Sequence, residues 1–214
     1  MMKSNYKLLI FILNIFILFA GCENKLETGT DKQKFIENLK TAFSEETSAS
    51  VKYLAYSKKA GEEGLGNVAK LFEAASKSEG ILAKNFKELL EKSGDKAPEV
   101  KPEFAVKTTK ENIDEAVKSG INKTVEIYPD YKKLSDILGE YGKEASKSYD
   151  FALRTIPKFK VYFEEALKSI DLKSTDKLAS VYWVCPVCGN TVVSDKDTSK
   201  CSICKNEKEP WIKM

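Results

Sequence analysis

The sequence contains no histidine, and Arg154 is its only arginine. Any metal site or acid–base scheme must therefore use Cys, Asp, Glu, Lys and Tyr side chains. The net charge is only +3, and acidic residues are interleaved with the lysines. This arrangement leaves no basic stripe of the kind that binds nucleic acid. These scarcities exclude histidine ligands and histidine general bases, and they argue against a nucleic-acid partner.

The apolar run at residues 8–20 is short. It contains thirteen residues, of which only Asn14 is polar, and it follows an N-terminal stretch that carries Lys3 and Lys7. Thirteen residues are too few to span a bilayer of roughly 30 Å as a helix. A basic start followed by a short apolar run is typical of a signal peptide. We therefore predict that residues 1–21 are a signal peptide and do not belong to the fold.

Cys22 follows the small pair Ala20-Gly21 and comes directly after the predicted signal peptide. Small residues before a cysteine resemble the lipobox of bacterial lipoproteins, in which that cysteine is acylated. The alternatives are an ordinary secretion signal or an uncleaved anchor. An acylated Cys22 would hold the protein on a bacterial membrane, at its periplasmic face or at the cell surface. The polar residues 22–31 would then serve as a short tether.

Residues 32–172 have the periodicity of amphipathic helices, with inward positions spaced alternately four and three residues apart. Four such segments occur, and the fourteen residues 94–107 between the second and the third contain Pro98 and Pro102. A helix of about thirty residues is about 45 Å long, and fourteen extended residues span a comparable distance. We therefore predict a four-helix bundle with one crossover connection between its ends, as in ferritin-like folds.

Three local signals refine the helices. Thr108 with Glu111 predicts a capping box at the start of the third helix. Asn67 is the expected N-cap residue of the second helix. Pro157 lies inside the fourth helix, which we expect it to kink or locally break.

The last residues of the chain contain two CxxC pairs, Cys185 with Cys188 and Cys201 with Cys204, separated by twelve residues. Four thiolates at this spacing can hold one tetrahedral metal ion, either zinc or a single iron. Disulfides are a third possibility, because an exported protein meets an oxidising compartment. Residues 181–214 are too few to form a stable core without help, so a bound metal would contribute to their folding.

Several short patterns occur in order along the chain: Lys52-Tyr53-Leu54-Ala55, Asn67-Val68-Ala69-Lys70-Leu71-Phe72, Tyr128-Pro129 and Tyr182-Trp183-Val184-Cys185-Pro186-Val187-Cys188-Gly189. Together with the cysteine spacing they resemble the rubrerythrin family. This resemblance implies an all-α ferritin-like four-helix bundle, residues 32–172, joined to a small rubredoxin-like four-cysteine domain, residues 181–214. One departure is Lys205, which stands after the second cysteine pair where the family usually has glycine.

In that family, the bundle holds two irons that reduce hydrogen peroxide. The ligands are one Glu on each of two helices and Glu-x-x-His motifs, and the electrons come from the rubredoxin-type iron. Glu46 and Glu79 match ligand positions here. The other positions are occupied by residues that do not suit iron: Leu82, Gly120, Lys123, Ile156 and Phe159. The resemblance therefore implies a bundle without a di-iron centre, and we assign no catalytic residue.

Glu46, Glu79 and Lys123 all fall on the inward seam of the predicted helices. An isolated carboxylate is costly in such a place. We therefore expect the Lys123 ammonium to replace the charge of the metal and to pair with Glu46 or Glu79. With two carboxylates for one cation, the pKa of one carboxyl should rise. The alternative is that one or more of these side chains reaches solvent at a helix end.

These inferences lead to three functional hypotheses. The first is a membrane-anchored protein that transfers single electrons through one iron on the four cysteines to a separate redox protein. The second is a non-catalytic structural or interaction lipoprotein, with zinc on the same cysteines. The third is residual peroxide or metal-ion chemistry at Glu46 and Glu79, so whether the chain is an enzyme stays open. By analogy with the family, the chain would form a homodimer.

Overall fold

The computed structural model describes residues 29–194 and 199–214; the predicted signal peptide and Cys22 lie outside them. Four helical rods form a bundle. They are α1 (Gly29–Glu62), α2 (Gly66–Lys92), a composite third rod, and α5 (Lys143–Asp171). The third rod joins α3 (Thr109–Ile121), a π-helical turn (Asn122–Ile127) and α4 (Tyr128–Ile137) without a gap. Within the described ranges, no helix is both long and apolar enough to cross a membrane.

The helix boundaries differ in part from those predicted. α1 begins at Gly29, so the last three residues of the predicted tether, 22–31, are helical. The capping box is present: the Thr108 side chain accepts a hydrogen bond from the backbone N–H of Glu111, whose carboxylate accepts one from the backbone of Thr108. Asn67 is not the N-cap of α2, because the helix begins one residue earlier, at Gly66.

The side chain of Asn67 serves another purpose. Its amide donates hydrogen bonds to the carbonyl oxygens of Thr175 (3.2 Å) and Leu178 (3.1 Å), in the segment that leads from α5 to the C-terminal domain. The local break predicted as one effect of Pro157 is absent, since α5 runs from Lys143 to Asp171 through this residue.

The connection between α2 and α3 crosses the whole bundle. Near the start of the connection, the Asp95 carboxylate lies 3.2 Å from the Lys40 ammonium, which belongs to the N-terminal half of α1. At its end, the backbone N–H of Thr109 donates to the carboxylate of Glu63, beyond the end of α1, at 3.1 Å. The connection therefore runs between opposite ends of the bundle, as the length of the linker predicted.

The C-terminal residues form a small three-stranded antiparallel sheet. Its central strand β1 (Tyr182–Val184) lies between β2 (Thr191–Val193) and β3 (Ile212–Lys213). In the register of the sheet, Trp183 faces Val192 on one side and Lys213 on the other. This sheet carries the two cysteine pairs at one end.

The C-terminal domain shares a core with the bundle. A single buried cluster contains Phe86 and Ala152 of the bundle together with Cys185 and Cys188. Ser78 on α2 also donates a buried hydrogen bond of 2.8 Å to the carbonyl oxygen of Gly189. The two parts therefore pack as one body, and the cysteine pairs lie against α2 and α5.

Candidate metal centre and buried carboxylate site

The four C-terminal cysteines converge on one point. Their sulfur atoms all lie within 4.8 Å of one another. Cys185 Sγ is 3.5 Å from Cys204 Sγ, and Cys188 Sγ is 3.6 Å from Cys201 Sγ. A tetrahedral ion with metal–sulfur bonds of about 2.3 Å needs sulfur–sulfur separations of roughly 3.8 Å. The cluster thus fits one tetrahedral metal ion.

Each cysteine pair is shaped by a tight turn of the backbone. The N–H of Gly189 donates to the carbonyl oxygen of Cys185 at 3.0 Å, and the N–H of Lys205 donates to that of Cys201 at 2.9 Å. Both turns require a left-handed residue, with φ of +73° at Gly189 and +62° at Lys205. Lysine at the second position costs about 1 kcal/mol or more in backbone strain.

The electrostatics of the metal-free cluster favour capture of a cation. A hydrogen bond from Cys188, aided by backbone amides, outweighs burial and lowers the pKa of Cys185 to about 5. The same contact and burial raise the pKa of Cys188. Burial raises the pKa of Cys204 to about 11. The lowered pKa of Cys185 favours its thiolate at neutral pH, whereas binding of a metal ion must displace the protons of Cys188 and Cys204.

Three polar side chains near the cluster were not predicted from the sequence: Asn190, Lys158 and Thr155. The Asn190 amide is fully buried and donates to Cys201 Sγ at 3.5 Å. Its oxygen accepts a 2.5 Å hydrogen bond from the Lys158 ammonium on α5. In addition, the Thr155 hydroxyl donates to the carbonyl oxygen of Cys188 at 3.3 Å. The Asn190 amide thus links the Lys158 ammonium of the bundle to Cys201, a candidate metal ligand. The one sequence feature that could have indicated this contact is the position of Asn190, directly after the first cysteine turn.

The second site is a charged triad inside the bundle. Glu46 on α1, Glu79 on α2 and Lys123 in the π-helical turn are each no more than 1% exposed. Lys123 Nζ lies 2.5 Å from Glu46 Oε2 and 3.3 Å from Glu79 Oε2. The Tyr128 hydroxyl, in the first turn of α4, donates a short hydrogen bond to Glu46 Oε1. The structure thus brings all three of these predicted inward residues together, away from solvent.

The local environment shifts the pKa values of the two buried carboxyl groups in opposite directions. Burial raises the pKa of Glu46, but the charge of Lys123 and hydrogen bonds from Glu79, Lys123 and Tyr128 outweigh it, so the net shift is downward. Burial and the adjacent Glu46 carboxylate raise the pKa of Glu79 well above its usual value. Burial lowers the pKa of Lys123, but the attraction of both carboxylates exceeds it and raises the pKa overall. The triad therefore combines a Lys123–Glu46 ion pair with a second carboxyl, Glu79, whose raised pKa favours its protonated form.

The sequence and the fold are similar to those of known proteins. Residues 37–153 match the sequence model of rubrerythrin. Nigerythrin of Nitratidesulfovibrio vulgaris is 30% identical over 181 residues, which cover 82% of this chain and 84% of nigerythrin. The chain belongs to the rubrerythrin family. Rubrerythrin-2 of Clostridium acetobutylicum is 28% identical over 174 residues, which cover 81% of this family member and 92% of the relative.

A solved structure extends this likeness to the fold. The fully reduced, all-ferrous state of nigerythrin superposes with a TM-score of 0.72 at 26% identity, covering 84% of this chain and 86% of that one. With the four-cysteine cluster, this likeness confirms the predicted fold class, a ferritin-like bundle with a rubredoxin-like C-terminal domain. It is the fold of a family of iron-binding redox proteins.

Among the described residues of this rubrerythrin-family chain, those at the positions that the resemblance assigns to di-iron ligands are mostly not metal donors. Leu82, Ile156 and Phe159, which the resemblance places at ligand positions, are buried apolar side chains. At Gly120 an added Cβ would lie 3.2 Å from Ile156 Cγ2, so this position faces α5 without a donor. The two remaining carboxylates are both bonded to Lys123. A di-iron site needs several more oxygen or nitrogen donors than two, so these residues do not fit such a centre.

Proposed function

We propose that this protein carries one iron ion on Cys185, Cys188, Cys201 and Cys204 and exchanges single electrons with a separate redox protein. Iron bound to four thiolates would supply a one-electron couple between its ferric and ferrous states. The convergence of the four sulfur atoms within 4.8 Å supports the metal site. Membership of the rubrerythrin family supports iron as the metal, although the same four sulfurs also suit zinc.

The position of Lys123 is the observation that carries the rest of the proposal. Its ammonium lies within hydrogen-bonding distance of both Glu46 and Glu79, where it neutralises one of the two charges that a metal would otherwise balance. We infer that the bundle holds no di-iron centre and that the peroxidase activity of the family is lost. An electron that enters the four-cysteine site must then leave the protein.

The exposure of the cluster indicates where a redox partner would dock. Cys185, Cys188 and Cys201 are fully buried, whereas Cys204 is partly exposed. Cys204 therefore offers the shortest approach from solvent to the cluster. The residues packed around the cluster exclude water from the three buried sulfur atoms and leave the Cys204 sulfur partly accessible.

Spectroelectrochemistry of the purified protein tests electron transfer directly. We expect one reversible one-electron transition and no consumption of hydrogen peroxide when a reductant keeps the site reduced. A member of the family with a complete set of di-iron ligands is the positive control for peroxide consumption. Turnover of peroxide that depends on Glu46 or Glu79 would overturn the loss of activity. A protein with stoichiometric zinc and no redox transition would instead support the structural alternative, in which the metal only stabilises the domain.

We also propose that the protein is exported and held on a membrane by a lipid on Cys22. The proposal is supported by the basic start, the short apolar run and the small residues before this cysteine. Mass spectrometry of the mature protein should find an acylated N-terminal Cys22. A Cys22→Ser variant should lose the lipid and leave the membrane fraction. A wild-type chain that keeps Met1, or that begins at another residue, would contradict this assignment.

A further inference from the structure

A cavity of about 350 Å³ opens between the third rod of the bundle and α5. Its mouth includes the exposed side chains of Ile121 and Val125, and its inner end reaches Tyr53 and Glu79. An apolar cavity of about 150 Å³ can hold a molecule of benzene, and small-molecule pockets begin at about 300 Å³. The cavity therefore has room for one aromatic ring with a short substituent.

The walls of the cavity are mainly apolar. Aliphatic side chains form part of them: Ala116, Val117, Leu153 and Ile156. Three aromatic rings also line it, those of Tyr53, Phe159 and Phe163. The centre of the Phe163 ring is 6.1 Å from that of Tyr53, edge to face, and 6.1 Å from that of Phe159. Aromatic rings attract one another at such distances, so the ring of a ligand can pack against this group.

The two charged side chains that line the cavity both have partners of opposite charge. Glu79 Oε2 lies 3.3 Å from the Lys123 ammonium, which also pairs with Glu46. The Lys160 ammonium lies 3.7 Å from the Glu164 carboxylate. An ion that entered the cavity would lose its hydration and find no free counterion. The cavity therefore suits a neutral molecule.

One polar group of the cavity has no hydrogen-bond partner. Tyr53 is only 2% exposed, and among the described residues no group hydrogen-bonds to its hydroxyl. The other hydroxyl in the lining, that of Thr124, already donates to the carbonyl oxygen of Gly120 at 2.8 Å. A buried hydroxyl without a hydrogen bond costs free energy, and a phenolic hydroxyl can both donate and accept. A ligand oxygen beside Tyr53 would supply the missing bond.

We propose that the cavity binds a small neutral molecule with one aromatic ring, a short apolar substituent and one hydroxyl group. The ring packs against Phe159 and Phe163. The ligand hydroxyl forms a hydrogen bond with the Tyr53 hydroxyl, since each of the two groups can act as donor or acceptor. No metal ion takes part, so this site is independent of the proposed electron transfer.

Calorimetric titration of the full chain with 4-ethylphenol at pH 7 tests the inference. The phenol is neutral at this pH, because phenolic groups have pKa values of about 10. The matched charged ligands are 4-ethylbenzoate, an anion, and 4-ethylbenzylamine, a cation. We expect saturable binding of 4-ethylphenol at one site and at least tenfold weaker binding of both charged ligands. The absence of saturable binding, or an equal affinity for either charged ligand, would overturn the proposal.

A Tyr53→Phe variant tests the hydrogen bond. It should weaken 4-ethylphenol about fivefold, as the loss of one hydrogen bond implies, and leave the affinity for ethylbenzene, which has no hydroxyl, unchanged. Tyr56→Phe is the matched control, because it removes a buried hydroxyl of the same helix that donates to the carbonyl oxygen of Ala105 outside the cavity. It should alter neither affinity. An unchanged affinity of Tyr53→Phe for 4-ethylphenol, or an equal loss with ethylbenzene, would contradict the proposed contact.

A Val117→Phe variant locates the site. The larger side chain fills part of the cavity and should weaken 4-ethylphenol and ethylbenzene at least tenfold. Val51→Phe, the same change at an exposed position of α1 outside the cavity, should alter neither affinity. If Tyr53→Phe fails to fold, this pair of variants still decides where the ligands bind. Unchanged binding of both ligands to Val117→Phe would place them elsewhere and refute the inference.

Discussion

Lys123 supplies a buried cation at the place where we propose that the bundle holds no metal ion. The Lys123 ammonium is buried between Glu46 and Glu79, and the Tyr128 hydroxyl donates a hydrogen bond to the second carboxylate oxygen of Glu46. Burying an ion pair costs desolvation free energy. Removing one partner destabilises the fold more than replacing both partners with apolar side chains, because it leaves one buried charge unpaired. The predictions at the scale of single residues therefore concern what happens when one charge is removed at a time.

Replacement of Lys123 by methionine removes the cation and leaves two buried carboxyl groups. Loss of one partner of a buried pair costs about 3 kcal/mol or more, so we expect the free energy of unfolding at pH 7 to fall by that amount. Urea denaturation measures it. Lys132→Met, which breaks an exposed 2.8 Å pair with Asp136, is the control and should cost under about 1 kcal/mol. An unchanged stability in Lys123→Met would contradict the pairing.

Glu79→Gln should change the pH dependence of stability. The raised pKa of Glu79 means that the folded protein keeps a proton which the unfolded chain loses above its usual carboxyl pKa, about 4.3. This group therefore reduces stability progressively as pH rises from that value toward its folded pKa. Glutamine cannot titrate, so the variant should lose this part of the decline.

Denaturation of the wild type and Glu79→Gln between about pH 5 and pH 8 provides the comparison. The downward shift at Glu46 acts in the opposite sense and only at lower pH, where its stabilising effect is lost as the carboxylate becomes protonated. It therefore contributes equally to both proteins in this window. Two curves that run parallel would show that Glu79 is ionised in the folded state.

Lys158→Met should lower the reduction potential of the iron-loaded four-cysteine site. Reduction adds a negative charge, which the Lys158 ammonium stabilises through the Asn190 amide that donates to Cys201. We expect a downward shift of a few tens of millivolts, against about 59 mV for a tenfold change in a one-electron equilibrium. Lys160→Met, which removes a more exposed ammonium from the same helix, should shift it less. Equal shifts would mean that only the net charge matters.

At the scale of elements, the sequence periodicity accounts for much of the fold. The inward seam that contains Glu46, Glu79 and Lys123 follows from spacing alone, because burial on one helical face repeats every three to four residues. The π-helical turn at Asn122–Ile127 could not be foreseen, since its wider hydrogen-bond pattern has no composition of its own. The contact between Lys158 and Asn190 was equally hidden, because it depends on how two separate elements dock.

The docking of the first cysteine turn on α2 makes an element-scale prediction. A Cβ at Gly189 would lie 2.9 Å from the carbonyl oxygen of Ser78, and the residue has φ of +73°. Gly189→Ala should therefore cost the backbone strain of about 1 kcal/mol and a further penalty for the clash. Gly64→Ala is the matched control, because its φ is +75° with nothing within 4 Å of the added Cβ.

Thermal or chemical denaturation of the metal-loaded proteins measures both variants. The Gly189 variant should be less stable than the Gly64 variant, and its four-cysteine domain should be the part that loosens. If the two variants lose the same stability, the close approach of Gly189 to Ser78 contributes nothing to the docking of the domain.

At the scale of the whole molecule, the two parts of the protein depend on one core. Cys185 and Cys188 share a buried cluster with Phe86 and Ala152 of the bundle, so the metal site is held against α2 and α5 rather than on a flexible arm. In the bundle, an ion pair and apolar side chains occupy the positions that the resemblance to the family assigns to ligands. The account as a whole is that of a rubrerythrin-family protein with one metal centre instead of two, a claim about the number and kind of bound metal ions.

Metal analysis of protein purified without added metal, combined with its visible spectrum, tests this claim most directly. We expect a red protein with about one iron per chain, and no iron in the Cys185→Ser, Cys204→Ser double variant, which removes two of the four ligands. Colourless protein with one zinc per chain would contradict electron transfer. Three irons per chain in the wild type, with two retained in the double variant, would contradict the empty bundle.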